Sequence, residues 1–219
     1  ESIIALRKKY GLTQKELSAL LGFGEITLSR YENGSLQDQA HDNILRLAMN
    51  PSNLLELVIL STNAIDNEKN KFLQNQLQNE LSICQMVEAF FNHSEMNEFN
   101  GYSPLQINKL IEVIKLLCFN REIFKTKLMK LLFYADFAFF KEFQKSITGL
   151  QYVHLNYGPV PDRYELILGA IMQIDPSISL EPREIGEYTG EVIQINSLPA
   201  VSLLNENEKR VIKEIGKKY

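Results

Sequence analysis

GLTQKELSALLGFGEITLSRYENG, residues 11–34, decides the fold of the first part of the chain. Thr13 is an N-cap residue and Glu16 follows three positions later, so the two form a capping box. Leu17, Leu20 and Leu21 then recur at helical spacing. Gly22-Phe23-Gly24 ends this first helix, because glycine accepts the left-handed backbone of a helix C-terminus. A second short helix is predicted from Glu25 to Asn33, with Ile26 and Tyr31 turned inward, Leu28 supporting them, and Glu25, Thr27, Ser29 and Arg30 facing out. Gly34 closes it. Helix, glycine turn, helix with a polar outer face is the helix-turn-helix pattern.

Working outward, residues 1–10 form a preceding amphipathic helix with Arg7, Lys8 and Lys9 as a small basic cluster. A helix beginning at His41 or Asp42 carries Ile44, Leu45, Leu47 and Ala48. Asn50-Pro51 breaks it, and Ser52 caps a fifth helix, Asn53–Ser61. The segment LTQKELSALLG…SRYENG resembles the Xre/Cro-type helix-turn-helix of bacterial and phage repressors. The continuation Gln37–Asp42 resembles the MqsA-like branch, whose members often carry a zinc ribbon ahead of this domain. Here such a ribbon would lie before Glu1. The resemblance implies that the second helix enters the major groove of operator DNA while the first crosses the backbone. Gln14 and Lys15 would then meet phosphate, and Glu25, Thr27, Ser29 and Arg30 would face base edges or phosphates. Arg30 is the strongest of these, since its fork can pair with guanine O6 and N7.

The 219-residue chain is long enough for one large or two small domains. Its formal net charge is −4 and its hydrophobic content 45%, which argues against a generally basic nucleic-acid coat but not against a small docking face. Residues 1–60 hold six Lys/Arg and seven Asp/Glu, residues 61–100 two and six, and the remainder fifteen and fourteen. A near-neutral DNA-binding domain neutralises few phosphates and binds weakly as a monomer, so a homodimer is expected. Cys84 and Cys118 sit in apolar helical patterns and read as reduced, buried thiols in the cytoplasm. No ligand spacing for a metal, no cofactor motif, no signal peptide and no membrane-length apolar run is present. The chain opens at Glu1 inside one helix and stops at Tyr219 inside another, so both ends read as cut.

From Asp66 to His93 a long helix is predicted, with Leu73, Leu77, Leu81, Cys84, Val87 and Phe91 in an apolar stripe. The stripe suits either a dimer seam or intramolecular packing. Asn92–Gly101 reads as a loop. Ser103-Pro104 reads as the N-cap and first residue of a helix that continues through Leu110, Ile114 and Cys118. KTKLMKLLFYADFAFFKEF, residues 125–143, is apolar almost all round and is expected to be the buried centre of a second domain. Ser146–Gly149 is a turn, Tyr152–Tyr157 a short extended segment, Gly158–Pro161 a rigid loop, and Asp162 the cap of a helix Arg163–Gln173. Ile178–Leu180 and Glu191–Ile195 read as a hairpin. Leu203–Tyr219 is a final amphipathic helix capped by Asn205 and Glu208.

KLMKLLFYADF, SITG and YGPVP, in that order, are similar to the Panacea domain, also called the SocA-like antitoxin domain, over roughly Pro104–Met172 and more loosely to the end. The resemblance implies neutralisation of a toxin by direct binding. Asp136, Tyr157, Gly158, Pro159 and Pro161 are the residues expected to form or support that contact. Asp136 interrupts an apolar helix, so its carboxylate needs hydrogen-bond donors or a charge. Asp136 and His154 also admit a hydrolase reading. With no nucleophile at a recognisable spacing, however, no catalytic residue is assigned and an enzyme is not expected.

The expected fold is thus mainly α. It comprises a five-helix helix-turn-helix domain (1–61), an acidic helical connector (62–101) and a helical Panacea-like domain with a small β hairpin (102–219). The expected function is that of a type II antitoxin that binds a toxin and autorepresses its operon, with no membrane partner. The alternative is a prophage-type regulator whose C-terminal domain is a proteolysis adaptor or signal sensor.

Overall fold

The computed structural model describes residues 2–61, 63–91, 96–186, 188–198 and 202–219. Glu1, Asn92 and His93, where helix and loop ends were expected, lie outside the described residues. Within them the chain is mainly α, with ten α-helices and five short strands. It forms two compact units, the first ending at Ser82 and the second beginning at Ile83.

The N-terminal unit contains α1 (Ser2–Lys9), α2 (Gln14–Leu20), α3 (Thr27–Glu32), α4 (Gln39–Ala48), α5 (Pro51–Leu60) and the first part of α6 (Asn67–Phe91). The Thr13–Glu16 capping box forms as the sequence requires. Gly22 takes a positive φ of 71°, and the Phe23 N–H then reaches back to the Ser18 carbonyl at 2.8 Å, closing α2 as a Schellman turn does. Leu17, Leu28, Leu54 and Leu77 are fully buried at the core. Each is worth about 1.5–3 kcal/mol, more than the roughly 1 kcal/mol of a cap, so burial decides the packing. Three local expectations need correction. Ile26 is 70% exposed and Leu28 is the inward residue of α3, because α3 begins only at Thr27. Asp38 caps α4 through the His41 N–H, three residues before the expected start. Asn50, not Ser52, caps α5, with Pro51 as its first residue. Proline needs no hydrogen bond there, so the same residue that stops α4 starts α5.

The stripe on α6 is divided. Leu73 and Leu77 belong to the N-terminal core, Cys84 and Val87 to the C-terminal one.

The C-terminal unit contains a 3₁₀ turn (Glu98–Asn100), α7 (Ile107–Cys118), β1 (Ile123–Phe124), α8 (Lys125–Phe143), β2 (Tyr152–Leu155), β3 (Gly158–Pro161), α9 (Tyr164–Ile174), β4 (Ile178–Ile185), β5 (Tyr188–Ile195) and α10 (Glu206–Lys218). One sheet has the order β1-β5-β4 and the other pairs β2 with β3, all antiparallel. The most buried helix is α7, not α8. Its polar residues are satisfied inside: Lys115 pairs with Asp175 at 2.7 Å, and Glu112 accepts from the Leu203 N–H at 2.6 Å. α8 buries Leu128, Leu132, Ala135 and Phe139 but leaves Tyr134 and Phe137 in solvent. Burial pushes the Cys118 thiol up to about 12, which keeps it an unreactive core residue.

Four further expectations change. α7 starts at Ile107, and Ser103 instead donates to the Ser146 carbonyl at 2.8 Å. Gly158–Pro161 is a strand paired with β2, not a loop. Arg163, in a left-handed conformation, occupies the cap position of α9, and Asp162 does not cap it. The hairpin β4–β5 is longer than expected and takes on β1, two residues too short to register as a periodic pattern.

Candidate functional site

In the N-terminal unit, α3 is held at three points. Leu28 is buried beneath it. At its end, Glu32 accepts from Arg7 Nε at 2.9 Å and Nη2 at 3.1 Å, and from Gln14 Nε2 at 2.6 Å. The Tyr31 hydroxyl meets His41 Nδ1 at 2.7 Å, and the His41 ring packs on Phe23 with centroids 4.1 Å apart. α3 is therefore tied to α1, to the start of α2 and to α4. What remains outward is Glu25, Ile26 and Arg30, exposed, with Thr27 and Ser29 half-buried beside them. Lys15 and Glu25 pair across this face at 3.1 Å. Glu25 and Glu32 thus both have other partners, and Arg30 forms no ion pair among the described residues. Of the residues expected to meet DNA, Lys15, Glu25, Thr27, Ser29 and Arg30 share this face. Gln14 instead spends its amide on Glu32.

In the C-terminal unit, Asp136 is 2% exposed. Its Oδ1 accepts from the N–H groups of Ile147 at 2.8 Å and Thr148 at 2.9 Å. Its Oδ2 accepts from the Thr148 hydroxyl and, at 2.6 Å, from the Tyr152 hydroxyl. Burial pushes the carboxyl above its ordinary range while these four donors pull it back. The side chain binds α8 to the Ser146–Gly149 turn and to β2, and offers nothing to a partner or a substrate. Pro161 is also buried, whereas Tyr157 is 93% exposed at the β2–β3 turn. His154 is exposed on β2. Among the described residues no group of three His, Cys, Asp or Glu could hold a metal, and no helix is long and apolar enough to cross a membrane.

Residues 3–48, from α1 to the end of α4, match the family model for the helix-turn-helix. Residues 128–219, from within α8 to the end of the chain, match that of the antitoxin SocA-like, Panacea domain. The chain joins a helix-turn-helix to a SocA-like Panacea domain. It is on these grounds a DNA-binding, antitoxin-like regulator. No curated protein and no solved structure matches it.

The Glu32 clamp in the helix-turn-helix gave no sequence signal, because Arg7 and Glu32 are 25 positions apart and follow no helical or strand period. The hydrogen bonds from Arg7 hold the Glu32 carboxyl below its ordinary value of 4.5. A carboxyl depressed on folding stabilises the fold above its unfolded pKa, and that contribution is lost as pH falls through the folded value. The helix-turn-helix is therefore expected to lose stability on acidification below about 4.5, and Glu32→Gln is expected to flatten that loss. Urea unfolding between pH 7 and pH 3, followed for both proteins, checks this.

Proposed function

We propose that the chain is an antitoxin that represses its own operon, its helix-turn-helix binding operator DNA as a homodimer and its Panacea domain holding a toxin inactive. The observation that carries this reading is the presence of both domains on one chain. The unpaired Arg30 on an outward face fixed at three points supports it. In this reading Arg30 reads a guanine, Ile26 packs against a thymine methyl, and Lys15, once released from Glu25, meets phosphate. Neutralisation is by occlusion and not by catalysis, and both partners are cytoplasmic. Expressing the neighbouring gene alone and together with this one tests it. Growth arrest followed by rescue is expected, and the absence of both removes the toxin claim.

Arg30→Ala is expected to weaken operator binding by about 1–3 kcal/mol, the value of a bidentate base contact, without changing toxin neutralisation. Titration of the operator duplex at fixed salt, with growth rescue in parallel, measures both. Operator affinity equal to wild type assigns Arg30 no base.

A further inference from the structure

We propose that the outward strip of α8 between Lys127 and Lys141 holds an acidic amphipathic helix of the toxin. The inference rests on the toxin-binding reading above and names the surface and the chemistry of its occupant.

Helix period places the strip. Lys127, Lys130, Tyr134, Phe137 and Lys141 follow one another at steps of three and four. At about 100° per residue they fall within an arc of about 80° and span about 21 Å of α8. The opposite side of the helix is core, where Leu128, Leu132, Ala135 and Phe139 are buried. On the strip, Phe137 is 55% exposed and Tyr134 36%. Lys127 and Lys141 are exposed, and Lys130 is half-buried. The two central rings are already held. Tyr134 stacks on Tyr219 with centroids 4.5 Å apart, and Phe137 packs on Phe133 at 4.1 Å. Rings fixed in advance lose little freedom when a partner covers them. Rings already packed on one another also suit side-chain contact better than the stacking of a base. Steps of three and four are the spacing at which one helix seats against another.

Charge selects the occupant. Three of the five positions are lysine and none is an acid. Lys218 adds a fourth ammonium beside them, 5.2 Å from the centre of the Tyr219 ring. The nearby acids are engaged elsewhere: Glu142 with Arg210, and Glu165 and Glu191 with Lys125. No lysine of the strip has an acid partner among the described residues. Lys130 Nζ reaches the Pro159 carbonyl at 2.9 Å, which leaves its charge uncompensated. An apolar centre between basic ends fits a helix with apolar residues at its middle and Asp or Glu toward both ends. A second copy of this strip is excluded as the occupant, because it would set lysine against lysine.

The test uses the full chain co-expressed with the protein encoded beside it. In the wild-type complex, carbodiimide coupling is expected to join Lys127 or Lys141 to Asp or Glu residues of one segment of that partner. Lys127→Glu with Lys141→Glu is expected to weaken the complex about tenfold or more. Phe137→Ala is expected to weaken it by a similar factor. Lys213→Glu, the same charge change at an exposed position of α10, is expected to stay within about twofold of wild type. Wild-type or tighter binding by the folded double variant overturns the inference, as does coupling from neither lysine. If Phe137→Ala fails to fold, the two lysine readouts decide. A wild-type chain that does not bind its neighbour at all removes the toxin reading and this inference with it. Binding that the strip variants leave unchanged removes this inference alone. If operator binding falls in the double variant while the toxin complex holds, the strip belongs to nucleic acid and the inference fails.

Discussion

Asp136→Ala is expected to cost the C-terminal unit about 3–5 kcal/mol, since it strips a buried carboxylate from four donors, two of them backbone N–H groups with no other acceptor. The four donors are not equivalent. The Thr148 and Tyr152 hydroxyls can rotate, and the Thr148 oxygen already accepts from the Leu150 N–H at 3.1 Å. The N–H groups of Ile147 and Thr148 cannot turn, and both depend on Oδ1. Asp136→Asn keeps an oxygen for those two amides and turns its NH₂ toward two hydroxyls able to accept. It also removes the burden of burying a charge. Asparagine is thus expected to lose less than half of what alanine loses. Urea unfolding of the three proteins measures the order, and an asparagine variant as unstable as the alanine one assigns the main role to the charge and not to the paired amides.

Gly149→Ala is expected to be comparably damaging for a steric reason. Gly149 sits at φ 76°, and a Cβ there would lie 2.5 Å from both the carbonyl carbon and oxygen of Pro104, and 2.6 Å from the Leu105 nitrogen. These are backbone atoms with no rotamer to change. A positive φ costs a non-glycine residue about 1–2 kcal/mol, and overpacking adds about 1–3 kcal/mol, so a loss near 3 kcal/mol is expected. The Ser146–Gly149 turn is also anchored from outside, by the Ser146 N–H to the Gly101 carbonyl at 2.7 Å and the Ser146 hydroxyl to the Asn100 carbonyl at 2.8 Å. With these bonds resisting displacement, the strain cannot be relieved by a small shift of the loop. Thermal unfolding beside wild type checks it, and a melting temperature equal to wild type would mean that the Pro104 segment gives way.

Local chemistry was readable where one residue type has one job. The Thr13–Glu16 and Asn205–Glu208 boxes form as spacing demanded, and Gly22 and Gly34 take the positive φ their positions required. Burial was harder to read, because composition does not say which side of a helix meets a neighbour. α8 is apolar all round yet keeps Phe137 in solvent, while α7 buries Glu112 and Lys115 against partners far along the chain. GPVP reads as a loop by its prolines, but a strand with one unpaired side tolerates proline at alternate positions. In the candidate site, the outward set around Arg30 followed from the helix pattern. The clamp that orients it did not, since Arg7, Gln14 and Glu32 meet only after three helices have packed.

The alternation of proline along β3 limits how many strands this small sheet can recruit. A ribbon open on both sides can keep adding neighbours, which is how fibres grow. Here Pro159 and Pro161 leave one flank without donors, so a single added strand exhausts the capacity of the hairpin. Two chains that met through β2 would stop at a pair and leave no open flank for a third.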